Sequence, residues 1–140
     1  MNTKIHFLVV NDSDVMQKVI VALLKEIGYV RVSEADDGKT ALRTMETAKS
    51  IGSPIDFVIT DCAMPEMNGL EMIRAIRSDP YANRIPILMV TAEAKQENIV
   101  AAADAGVDSY LVKPFRADTL RKKIEGLLVE RGLKEPQIEF

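Results

Sequence analysis

The sequence predicts an α/β fold built on a parallel sheet with helices on both faces. Short, nearly continuous apolar runs alternate with segments of helical periodicity five times along the chain. Strict alternation of this kind needs crossover connections, and these place parallel strands between two helical layers. The runs also lack the in–out alternation of a half-exposed strand, as expected of strands buried on both faces. With 140 residues, 47% of them hydrophobic, the chain suits one domain of ordinary size.

Each element has a local reason. Ile5–Val10 is the first apolar run. Asp12-Ser13-Asp14 offers N-cap chemistry, and Val15, Met16, Val19, Ile20, Leu23, Leu24 and Ile27 then follow at helical spacing until Gly28 stops the helix. Val30–Ala35 reads as a second strand, interrupted by charges, and Asp37-Gly38 as a turn. A helix over Thr40–Lys49 is broken by Gly52-Ser53-Pro54. Phe57–Thr60 is the third strand. The loop Asp61–Asn68 leads into a helix through Leu70, Ile73 and Ile76, which ends near Asp79-Pro80. Pro86–Val90 is the fourth strand, Ala94–Ala105 an alanine-rich helix closed by Gly106, and Asp108–Val112 the fifth strand. Pro114 cannot extend a ladder. A last helix covers Asp118–Arg131. The expected division is a domain over 1–131 and a loosely docked tail, Gly132–Phe140.

Composition narrows the function. A formal charge of −3 and a pI near 5.2 give no global basic field for nucleic acid or anionic membrane. The short basic cluster Arg121-Lys122-Lys123 reads first as a solvated helix face. Cys62 is the only cysteine, so no internal disulfide can form, and with one histidine a thiolate–imidazole metal site is not expected. The six residues Ile5–Val10 are too short for a signal core or a membrane span. A cytoplasmic location is expected.

In a parallel sheet all strand C-termini share one edge, and ligands bind there where the strand order reverses. Asn11 and Asp12 follow the first strand, Asp61 the third, Thr91 the fourth and Lys113 the fifth. Two carboxylates, an amide, a hydroxyl and an ammonium converge. Asp12 and Asp61 supply hard oxygens of the type Mg²⁺ takes. A carboxylate is a competent phosphoryl acceptor, Thr91 can hydrogen-bond a phosphoryl oxygen, and Lys113 can pair with another. Singly, each has a duller use: Asp12 or Thr91 as a helix cap, Lys113 as a surface lysine. Asp61 directly follows a core strand and must find a partner or water.

Four stretches now carry a resemblance. They are Phe7–Asp12, Asp61-Cys62-Ala63-Met64-Pro65-Glu66-Met67-Asn68-Gly69, Leu88–Lys95 and Lys113-Pro114-Phe115. In this order they resemble the receiver domain of two-component response regulators, the single-domain chemotaxis regulators most of all. The resemblance spans Phe7 to about Gly132. It implies a flavodoxin-like (βα)5 three-layer sandwich with strand order 2-1-3-4-5, and Mg²⁺ as cofactor. By resemblance, Asp61 is the phosphoacceptor. Asp12, Asp61 and the Ala63 carbonyl hold the metal, with Asn11 reaching it through a water. Thr91 is the switch hydroxyl, Lys113 the phosphoryl counter-ion and Tyr110 the switch aromatic. The Lys113–Pro114 peptide is usually cis in the family.

The chain departs from the family at three places. Asn11 stands where a second acid is usual, which implies weaker metal binding at a working site; the rival is a degenerate receiver that signals without phosphate. Ala63 and Glu93 occupy positions that influence hydrolysis of the aspartyl-phosphate, and Ala63 has no polar group to orient a water, so slow-to-moderate loss is expected. The stretch from Gly38 to Asp61 and the tail are each a few residues longer than usual.

No helix-turn-helix or catalytic output segment follows the last helix in this sequence, so the expected output is a changed binding surface. Gln96, Ile99, Tyr110 and Lys123 map by resemblance to the surface that meets the flagellar motor switch protein, although Gln96 replaces a usual basic residue. The implied partners are a CheA-like histidine kinase and that switch protein or another output protein; no nucleic acid or membrane is expected, and the protein is expected to be monomeric. The alternatives are a phosphate sink or an adaptor in another pathway. An aspartate-nucleophile phosphatase would want an acid at position 63, which is Ala63. A nucleotide or flavin module would want a phosphate-cradling loop after strand one, where Asn11-Asp12-Ser13-Asp14 is acidic.

Overall fold

The computed structural model describes residues 4–61, 69–91, 96–113 and 115–131, with the backbone alone at 96–98. Among these residues five strands and five helices alternate: β1 His6–Val10, α1 Asp14–Ile27, β2 Arg31–Ala35, α2 Gly38–Ser50, β3 Phe57–Thr60, α3 Gly69–Ser78, β4 Ile87–Thr91, α4 Gln96–Ala105, β5 Ser109–Val112 and α5 Ala117–Glu130. The strands form one sheet in the order β2-β1-β3-β4-β5, with every pairing parallel. This is the doubly wound three-layer sandwich that the resemblance implied.

Side-chain alternation along the strands sorts the core into two layers. Phe7, Val9, Phe57, Ile59, Leu88 and Val90 meet Ile20 and Leu24 of α1 and Leu120, Ile124 and Leu128 of α5. Leu8, Val10, Val58 and Ile87 meet Ala41 of α2, Met72, Ile73 and Ile76 of α3, and Ala105 of α4. The central strands β3 and β4 are buried along their whole length, which explains their unbroken apolar runs. Edge strand β2 is half-exposed and tolerates its charges.

Several boundaries differ from the sequence reading. Asp37-Gly38 is not a free turn. Asp37 caps α2 by accepting a hydrogen bond from the Thr40 amide at 2.8 Å, and Gly38 is the first helical residue. That bond holds the Asp37 carboxyl below its ordinary pKa. Ser13, rather than Asp12, caps α1. Thr91 belongs to β4 as its last residue instead of following it.

Glycines end two helices where no other residue would fit well. Gly28 and Gly106 have φ of 121° and 116°, and each amide bonds back to carbonyls three and four residues earlier. At Gly106 an added Cβ would also lie 2.7 Å from the Arg77 Cγ. Gly106→Ala is therefore expected to cost about 2 kcal/mol or more, through backbone conformation and displacement of Arg77. Urea unfolding measures this; a change below about 0.5 kcal/mol would show that the turn adapts.

Candidate functional site

Three backbone bonds align the strand ends. The Asn11 amide donates to the Ala35 carbonyl, the Asp61 amide to the Val10 carbonyl, and the Lys113 amide to the Thr91 carbonyl, at 3.1, 3.1 and 2.9 Å. Residues 11, 61 and 113 thus stand one step past β1, β3 and β5 on the same sheet edge. The strand order reverses between β1 and β3, so Asn11-Asp12 and Asp61 flank the switch point.

Asp61 leaves the core strand partly open to solvent, with its side chain 17% exposed. The Lys113 ammonium lies 3.4 Å from its Oδ2. The Thr60 hydroxyl donates to the Asp61 main-chain carbonyl at 2.8 Å, which fixes the peptide as the chain leaves β3. Thr91 is buried at the end of β4, and its main-chain carbonyl accepts from the Lys113 amide. Asp12 is exposed. The exposed Asp12 carboxylate and the accessible Asp61 carboxylate suit a hydrated divalent cation, which favours hard oxygen ligands and retains waters. Among the described residues no three His, Cys, Asp or Glu side chains cluster.

Asn11 lies one step past β1 with its side chain buried. It is 1% exposed, and its Oδ1 accepts from the Ser13 amide at 2.9 Å. That bond fixes the amide orientation, because the Ser13 N–H needs an acceptor. The Nδ2 group is left buried with no hydrogen-bond partner among the described residues. In this geometry Asn11 braces the β1–α1 turn. An aspartate here could still accept from Ser13, would remove the orphaned donor and would add negative charge beside Asp12. Asn11→Asp is expected to tighten Mg²⁺ binding by about tenfold. Calorimetric titration of both proteins checks this, and equal affinities would contradict it.

The remaining expected residues fall on two faces or outside the description. Ala63, Glu93 and Pro114 lie outside the described residues, as does the tail from Gly132. Gln96 opens α4, and its side chain is not described. Ile99 is half-buried on α4. Tyr110 on β5 is 39% exposed, and the Lys123 ammonium of α5 sits 5.8 Å from its ring centroid and 3.3 Å from the Ser109 hydroxyl. Lys123 thus belongs to a β5–α5 surface. Two buried polar residues near the edge were not singled out by the sequence reading: Thr60, placed in the third strand, and Gln17 on α1.

Known proteins are similar to this chain over most of its length. The model of the response regulator receiver domain matches residues 7–125. The chemotaxis protein CheY of Pseudomonas aeruginosa is 45% identical over 118 residues, covering 84% of this chain and 91% of that protein. A solved structure of chemotaxis protein CheY4 of Vibrio cholerae superposes with a TM-score of 0.79 at 33% identity, over 89% of this chain and 98% of that one. The receiver domain of the sensor histidine kinase PA1611 of P. aeruginosa, solved with a magnesium ion coordinated in its active-site cleft, gives 0.76 at 34% identity, over 91% and 97%. No described helix is long and apolar enough to cross a membrane. A receiver match over most of the chain, on this sheet and with these residues at its edge, means that the chain belongs to the response regulator receiver domain family.

Proposed function

We propose that this receiver signals by accepting a phosphoryl group on Asp61 from a histidine kinase and then binding an output protein through its α4–β5–α5 surface. The observation that carries the proposal is the Asp61 carboxylate, open at the sheet edge with the Lys113 ammonium 3.4 Å from it. An Asp61 oxygen bonds to phosphorus while the bond from phosphorus to the kinase's histidine nitrogen breaks, and the departing imidazole takes up a proton. Lys113 offsets negative charge on the transferred group. Mg²⁺, when bound, supplies charge neutralisation at that group. Asp12 and Asp61 would hold it, with the residue 63 carbonyl as a third donor by family resemblance.

Thr91 and Tyr110 form the proposed relay. A phosphoryl oxygen offers the Thr91 hydroxyl a new acceptor, which favours a different arrangement of the β4–α4 connection and of Tyr110. Domain limits of 1–131, a binding role without catalytic output, and chemotaxis through the motor switch protein are parts of the same reading. Support for chemotaxis comes from the CheY relatives. The alternatives are a phosphate sink and a degenerate receiver that signals without phosphate, the latter favoured by the missing charge at Asn11.

The relay is tested with Mg²⁺ and beryllofluoride, a phosphoryl mimic, read by amide NMR. Binding should shift Asp61, Thr91 and Lys113 together with Ile99, Tyr110 and Lys123. Shifts confined to the sheet edge would contradict an output through α4–β5–α5 and favour the sink.

A further inference from the structure

Gln17 is a long polar side chain on α1, yet it is only 6% exposed. Its Nε2 donates to the Ala35 carbonyl at 2.8 Å and to the Val9 carbonyl at 3.4 Å. Ala35 ends β2, and its carbonyl also receives the Asn11 amide. The Gln17 main-chain amide donates to the Ser13 carbonyl at 2.9 Å. Ser13 in turn accepts from the Met16 amide and donates its own amide to Asn11 Oδ1. Residues 11 and 13 are therefore both anchored, one to the end of β2 and one to the start of α1. Asp12 lies between them with its side chain outside. Gln17 joins the two anchors, because its side chain holds the strand ends and its backbone holds Ser13.

We propose that Gln17 is a positioning residue for Asp12. Its buried amide sets how the β1–α1 turn leaves the sheet, and so where the Asp12 carboxylate stands relative to Asp61. The inference rests on the reading of this edge as a cation-assisted phosphoryl site. A role limited to satisfying buried carbonyls would affect folding alone. A positioning role must also appear in cation affinity.

Gln17→Met separates the two, since methionine keeps the length, apolar stem and helix preference while removing the donors. Mg²⁺ alone is titrated by calorimetry, with amide shifts of Asn11 and Asp12 followed by NMR. The Mg²⁺ dissociation constant is expected to rise about tenfold, with the Asp12 amide displaced before Mg²⁺ is added. Ile76→Val, on the opposite face of the sheet, should lose stability and keep the wild-type Mg²⁺ affinity. Equal Mg²⁺ affinity in wild type and Gln17→Met overturns this inference and leaves the phosphoryl site standing. A wild-type protein that binds no Mg²⁺ overturns both. If Gln17→Met does not fold, Gln17→Asn keeps an uncharged amide too short to reach the Ala35 and Val9 carbonyls; weakened Mg²⁺ binding with a displaced Asp12 amide would then support positioning, and wild-type affinity would overturn it.

Discussion

Arg77→Ala is expected to lower the unfolding free energy by about 3 kcal/mol and the melting temperature by roughly 10 °C. Arg77 is the hub of the edge opposite the candidate site. Its Nε donates to the Gly106 carbonyl at 2.9 Å, its Nη1 to the Asn83 and Ile85 carbonyls at 3.1 and 2.6 Å, and its Nη2 to Asp108 at 2.8 Å. Asp108 also accepts from the Ile87 amide and pairs with Arg131. One guanidinium thus ties the end of α4, the loop before β4 and the start of β5. Burial pulls Arg77 below its ordinary pKa, and Asp108 opposes that pull. Truncation would leave three carbonyls without this donor and Asp108 with one fewer cation in a site where both partners are less than one-fifth exposed. Arg77→Lys should rescue little, because an ammonium cannot reproduce the planar fork. Thermal and urea unfolding check this; a loss under about 1 kcal/mol would mean that solvent replaces the network.

Lys113→Ala is expected to move two properties of the candidate site in opposite directions. The Lys113 ammonium competes with any cation drawn to Asp61, so its removal should tighten Mg²⁺ binding by about tenfold. The same removal takes away the counter-charge for the phosphoryl group, so uptake from a small phosphodonor should slow by at least about tenfold. Calorimetry reads the first and time-resolved intact mass the second. Weakening of both would indicate a structural role for Lys113; no change in either would remove it from the site.

The fold was legible for a physical reason: doubly buried strands leave continuous apolar runs, and amphipathic helices leave a different period. Strand order was not legible in that way. It came from the family resemblance, since nothing in Phe57–Thr60 says that it lies beside β1 and β4. Asp37-Gly38 misled because the same pair serves as a turn or as a cap followed by the first helical residue, and only the Thr40 amide decides. Arg77 was unreadable because its partners lie up to 31 residues away. At the candidate site, the strand-end rule gathers Asn11, Asp12, Asp61, Thr91 and Lys113 from the sequence alone. It missed that Asn11 turns inward and that Gln17 lies beneath the turn, because burial of a polar side chain depends on which carbonyls surround it.

The claim on which the rest depends is that Asp61 accepts a phosphoryl group. Intact mass spectrometry after incubation with Mg²⁺ and a small phosphodonor tests it most directly. A single labile phosphoryl adduct, dependent on Mg²⁺ and lost in Asp61→Asn, is the predicted result. No adduct on the wild-type protein, or an equal adduct on Asp61→Asn, would contradict it.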